Sequence, residues 1–176
     1  MNITEKMTKE ELDIYNKYSN SFPFPLVAFA KDLDIQVCSA VMPNEMSGAI
    51  SKENNKYIIY LNEAHNSNRM RFTLAHELAH YFNDKDFLDQ NGQIEDLNKQ
   101  TNKKLFRVES DCIPKDKDMV QWDIKANKFA AELLMPEEKF IEVWKKLSSL
   151  EEVAEYFKVS IEAAKIRASN LLGEML

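Results

Sequence analysis

Arg71 to Phe82 is the stretch that most constrains what this chain can fold into. Within it His76 and His80 stand four residues apart, and Glu77 follows the first of them. Phe72, Ala75, Leu78, Ala79 and Phe82 recur at helical spacing, which predicts a helix with an apolar side set in a core. Residues four apart on a helix share a face one turn apart, so both imidazoles can chelate a single metal ion. A catalytic zinc site needs three protein ligands and one open position. Glu77 stands beside that position, where a carboxylate can take a proton from water and pass it to a leaving amine. The plainer alternative is an exposed amphipathic helix with its histidines in water. The apolar flank argues against it and sets the histidines at the rim of a packed surface.

Composition narrows the setting. A chain of 176 residues fits one domain, or one domain with a small appendage. With 44% hydrophobic and 30% charged residues it reads as globular, and three glycines and five prolines favour helix over tight turns. A net charge of −6 argues against direct nucleic-acid binding, because phosphate contacts need clustered Lys and Arg. The start, Met1 to Lys6, lacks the basic-then-apolar layout of a signal peptide, and no apolar run suits a bilayer. Cys38 and Cys112 are far apart and read as packing thiols, so a reduced, cytoplasmic setting without membrane partners is the expectation.

Along the chain, Thr8 and Glu11 form a plausible capping box for a helix reaching Tyr18, and Leu26 to Leu33 reads as a short helix after a proline. Ile35 to Cys38, Gly48 to Ser51 and Tyr57 to Leu61 read as strands, the last two joined as a hairpin across Asn54-Asn55. The motif helix is expected from about Ser67 to Phe82. Asp84 to Gln121, rich in Asp, Lys, Asn and Gln, reads as a long flexible insertion, either a solvated surface segment or a lid over a cleft. Trp122 to Leu134 predicts a helix stopped by Pro136, and Pro136 opens another that runs to about Lys146. Two short helices capped by Ser149 and Ser160 then outline a helix-turn-helix. Five acids against three Lys/Arg between Ser148 and Leu176 make that unit a better packing or partner-docking element than a DNA reader.

A third ligand must come from outside the motif. His65, in the loop before the motif helix, reads as a surface residue, a ligand or a transition-state donor. Asp123 and Asn127, four apart on the Trp122 helix, are better placed. Asp123 can bind a metal while Asn127 hydrogen-bonds a ligating imidazole and fixes its tautomer. Glu109, Asp111 and Glu132 are rivals, and Cys112 is a remote one.

Arg71 to His80, with Ala126 to Pro136, resembles the ImmA/IrrE family of metallopeptidases. Tyr57 to Asn62 and the Val159-Ser160 tail fit the same layout, and the likeness runs from about Phe24 to Leu172. The resemblance implies an α+β fold. A zincin-like metallopeptidase domain, with a small antiparallel or mixed sheet and the HExxH helix, would occupy 1–146, with 84–121 as its insertion. A helix-turn-helix-like unit would occupy 147–176. In such peptidases the sheet backs the active-site helix, and an edge strand can pair with an extended substrate. The resemblance also implies Zn2+ as cofactor and a protein substrate, a transcriptional repressor of the XRE type, in a mobile-element or stress-response circuit. It makes His76 and His80 the zinc histidines and Glu77 the general base. Asp123 falls where the family usually places a glutamate ligand. Its side chain is one methylene shorter, so its helix must sit closer to the metal.

Peptide hydrolysis also needs a donor for the developing oxyanion, and Tyr57, Tyr60, Tyr81 and His65 are unranked candidates. The competing reading is a non-catalytic module of peptidase-like fold that binds a repressor or toxin. A zinc hydrolase acting on a non-peptide bond is a third reading, which no sequence feature favours.

Overall fold

A computed structural model of the chain describes residues 2–91, 93–97, 116–147 and 149–173. Helix α1 (Lys9–Tyr18) opens on the expected capping box, with the Thr8 hydroxyl accepting from the Glu11 N–H and the Glu11 carboxylate from the Thr8 N–H. Helix α2 (Leu26–Asp32) follows Pro25 and buries Leu26, Phe29 and Ala30. Strands β1 (Ile35–Ala40), β2 (Met46–Glu53) and β3 (Lys56–Asn62) come next. Asn54 and Asn55 have φ of 51° and 64°, the left-handed pair that a two-residue hairpin turn requires.

The sheet is mixed, with strand order β1-β3-β2-β4. β3 pairs antiparallel with β2 and parallel with β1, so it inserts between the two strands that precede it. A buried asparagine fixes the connection that makes this possible. The Asn62 amide nitrogen donates toward the carbonyls of Met42, Pro43 and Met46, at 3.3, 3.0 and 2.8 Å, and holds the 41–46 loop against the end of β3.

Helix α3 (Ser67–Asn83) carries the histidines and packs against β2 and β3 and against α5 (Asp116–Leu134). Every residue from Thr73 to Phe82 is buried. The amphipathic expectation placed the histidines at a rim, but a helix enclosed by both sheet and α5 is covered nearly all round. Phe82 stacks on Phe29 at 6.2 Å and on Phe129 at 5.6 Å, so α2, α3 and α5 share one aromatic core.

The insertion expected over 84–121 is regular at both ends. Helix α4 (Lys85–Asn91) continues almost directly from α3, β4 (Gln93–Leu97) pairs antiparallel with β2, and α5 already begins at Asp116. Sparse apolar residues hid the helix, because Leu88 alone supplies its fully buried anchor. Residues 98–115, with Glu109, Asp111 and Cys112, lie outside the described residues.

Helices α6 (Glu137–Leu147), α7 (Leu150–Phe157) and α8 (Ile161–Leu172) complete the chain, and Ser149 and Ser160 cap the last two as expected. The α7–α8 pair is tied to the body. The buried Arg167 guanidinium donates to Met135 O at 3.0 Å and to the Glu132 carboxylate, and Asn68 Nδ2 donates to Val159 O at 3.2 Å. Among the described residues no helix is long and apolar enough to cross a membrane.

Candidate metal centre

The first half of α3 sets the approach. Asn66 caps the helix by accepting from the Arg69 N–H at 3.0 Å, and the next two turns run against β2. His76 and His80 then fall one turn apart at 3% and 4% exposure, and their Nε2 atoms lie 3.2 Å from each other.

The far side of each ring decides what that proximity means. His80 Nδ1 lies 2.8 Å from Asp84 Oδ2, and since a carboxylate only accepts, Nδ1–H donates. His76 Nδ1 lies 3.0 Å from Asn127 Oδ1, an amide oxygen that also accepts. A neutral imidazole has one N–H, so with both Nδ1 atoms donating, both Nε2 atoms present lone pairs. Two acceptors 3.2 Å apart repel unless something positive sits between or beside them. Two nitrogens bound to one tetrahedral zinc, each about 2.0–2.1 Å from it, stand roughly 3.3–3.4 Å apart. The spacing and the donor chemistry fit a shared divalent ion.

Asp123 and Asn127 arrive together from α5. Asn127 reaches His76 as the sequence suggested, and Asp123 Oδ1 lies 4.0 Å from His76 Nε2 with its side chain 35% exposed. The structure brings Asp123 to the pair without closing a three-ligand set. Among the described residues no three His, Cys, Asp or Glu side chains form a tight cluster.

Glu77 is fully buried on the side of the helix that meets β2. There Gly48 permits a close approach that sequence reading did not single out. A Cβ at Gly48 would lie 2.5 Å from Thr73 Cγ2, 2.9 Å from Tyr60 O and 3.3 Å from Glu77 Oε1. Gly48 also lies in an irregularity of β2. From Met46 to Ala49 the strand takes three residue steps where β4, from Leu97 to Glu95, takes two. Such bulges re-aim a strand locally and are common next to active sites.

Other sequence candidates are engaged elsewhere. Glu132 accepts from Arg167 and from the Glu137 N–H, which removes it as a rival third ligand. His65 is half-buried rather than a free surface residue, and its Nε2–H points at Asn44 O, 3.3 Å away. The tyrosines proposed as oxyanion donors each give their hydroxyl to a carboxylate outside the histidine pair. Tyr57 donates to Asp89 at 2.5 Å, Tyr60 to Glu53 at 3.1 Å and Tyr81 to Glu11 at 2.8 Å. Burial, with the neighbouring carboxylates, pushes all three phenols above their ordinary value. The partners of Tyr57 and Tyr81 lie 32 and 70 residues away and left no local signal.

Residues 30–169 match the peptidase M78 family, described as the IrrE N-terminal-like domain. Among solved structures the chain is similar to a Mycobacterium tuberculosis transcriptional regulator, with a TM-score of 0.56 and 17% identity. That likeness covers 95% of this chain and 44% of the regulator, and at such identity it is a likeness of fold. No curated protein matches by sequence.

Proposed function

The chain belongs to the M78 peptidase family with its IrrE N-terminal-like domain, and from that premise we propose that it is a zinc-dependent endopeptidase that cleaves a partner protein. The observation that carries the reading is the pair of Nε2 atoms 3.2 Å apart, each ring held from behind by an acceptor. His76 and His80 would hold the ion, with Asp123 as third ligand. In the same proposal residues 1–146 are a zincin-like domain built on the HExxH helix, and 147–176 a helix-turn-helix-like unit that packs or docks rather than reads DNA. The net charge of −6 and the anchoring of α8 through Arg167 support that division of labour. The substrate class is a transcriptional repressor of the XRE type in a mobile-element or stress-response circuit, and the setting is cytoplasmic.

Bound zinc would supply Lewis acidity toward the scissile carbonyl. Glu77 takes a proton from the attacking water and delivers it to the amine that leaves. Its position is fixed by burial and by β2, which Gly48 lets approach. Asn127 keeps the His76 ring turned so that Nε2 faces His80.

A second reading is supported by the 4.0 Å between Asp123 Oδ1 and His76 Nε2. On that reading the chain is a peptidase-like module that binds a repressor or toxin without cutting it. Zinc content after dialysis, measured on the wild type and on His76→Ala and Asp123→Ala, separates the two. About one zinc per chain, lost in both variants, is the expected result. A wild type that holds no zinc after reconstitution overturns the peptidase reading. Zinc retained by Asp123→Ala moves the third ligand to Glu109 or Asp111.

A further inference from the structure

Asp84 is the residue whose placement the fold alone does not account for. It closes α3 as its C-cap, where its N–H donates to His80 O at 2.9 Å. A carboxylate there sits at the negative end of the helix dipole, where a cation is preferred. The ordinary explanation would be that Asp84 caps the next helix. It directly precedes α4, and its carbonyl accepts from the Leu88 N–H at 3.0 Å. An aspartate N-cap has extended backbone and turns its side chain forward onto the second or third N–H of the helix. Asp84 has φ −125° and ψ 24°, and its carboxylate turns back onto His80 Nδ1 at 2.8 Å with its side chain 14% exposed. Both local rules for an aspartate at a helix junction are broken in favour of one bond to one imidazole. Local rules broken in this way mark functional positions.

We infer that Asp84 is a positioning residue of the metal centre: it fixes His80 as the Nδ1–H tautomer and aims Nε2 at His76. The inference rests on the reading of the two histidines as metal ligands. The two rings are thereby unequal, because His80 is backed by a carboxylate and His76 by the Asn127 amide. A charge-assisted bond to a carboxylate is stronger than one to an amide oxygen, so His80 is the more firmly oriented ring of the pair. Asp84 itself cannot be a ligand of the same ion, since it lies at Nδ1, across the ring from Nε2.

Two measurements on the whole chain test this, made on the wild type, Asp84→Ala and Asp84→Asn. One is zinc affinity by chelator competition. The other is the histidine tautomer of the metal-free protein by long-range proton–nitrogen NMR, tractable because the chain has three histidines. Asp84→Ala is expected to bind zinc about 10–100-fold more weakly and to lose the Nδ1–H preference at His80. Asp84→Asn is expected to keep the tautomer and recover most of the affinity, since its amide oxygen can accept the same bond. Affinity in Asp84→Ala within about twofold of the wild type, well short of the usual effect of losing such a partner, would overturn the inference. So would a tautomer that is the same in all three proteins. A wild type that binds no zinc, yet shows an Asp84-dependent Nδ1–H tautomer, would sink the metal reading and leave the positioning of His80 standing.

Discussion

Two polar clusters sit at the C-terminal end of α3, built from adjacent residues, and they differ in how their charge is settled. Around Tyr81, Glu11 accepts from the tyrosine hydroxyl at 2.8 Å, from Lys85 at 2.9 Å and from the Thr8 N–H at 2.8 Å. Beside it Asp89 accepts from Lys52 at 2.7 Å and from Tyr57. Two acids face two lysines, and the cluster is neutral as it stands. One residue earlier, His80 belongs to a cluster of the opposite kind. Among the described residues the ion-pair partners of Asp84 and Asp123 are His80 and His76, which carry no charge as Nδ1–H tautomers. The first cluster is complete and holds α1 and α4 to α3. The second gathers two carboxylates around two imidazoles whose Nε2 atoms lie 3.2 Å apart, a donor set that suits a bound cation.

The sharpest way to break that contrast is to remove the proposed base, Glu77, without touching the histidines. Glu77→Gln should retain zinc and lower cleavage of the partner by at least about 10²–10⁴-fold, followed by gel assay against purified repressor. Unchanged turnover would show that Glu77 is not the base. If regulation of the partner survives in cells, the non-catalytic module gains.

Gly48→Ala probes the same carboxylate from the sheet side. Thr73 Cγ2 and Tyr60 O would both lie closer than a Cβ tolerates, and one of them is backbone. A loss of about 1–3 kcal/mol in denaturant unfolding is expected, as for an overpacked core, together with reduced cleavage. Wild-type stability would mean that β2 can retreat from Glu77 at little cost.

The smallest effect belongs to the neutral cluster. Burial pushes the Glu11 carboxyl up, but its bonds to Lys85, the Thr8 N–H and Tyr81 outweigh that and hold it below the ordinary glutamate value. A pKa depressed by folding contributes stability above the unfolded value, and that stability is lost as pH falls through the folded one. Glu11→Gln should therefore cost about 1 kcal/mol near neutrality, discounted because Lys85 is 40% exposed. The gap from the wild type should shrink as pH falls below about 4.3. Zinc content should not change. A variant that also lost zinc would show the two clusters to be coupled through α3.

What could be read ahead of the structure was local. The capping box at Thr8, the Asn54-Asn55 turn and the serine caps of α7 and α8 all occur where the pattern put them, since each is decided within four residues. The i,i+4 histidines, and the shared face of Asp123 and Asn127, belong to the same class, because helical spacing fixes which residues share a face, whereas the contact of Asn127 with His76 is made between two helices. Asp84 was legible in principle on that ground, four residues after His80, but its place in a polar stretch concealed it.

The sequence by itself determined most elements outside 84–121, their caps and the candidate ligands that share a face of α3, because those follow from periodicities of two and of three to four residues. Only the tertiary structure decided that β3 lies between β1 and β2, that β4 adds to β2, and that sheet and α5 bury the histidines together. It also decided which polar groups were already taken: Glu132 by Arg167, and Tyr57, Tyr60 and Tyr81 by carboxylates. Such pairings join residues up to 70 positions apart, as in Glu11 and Tyr81. No local pattern encodes them, because a buried polar group is satisfied by whatever the packed chain brings within about 3 Å of it.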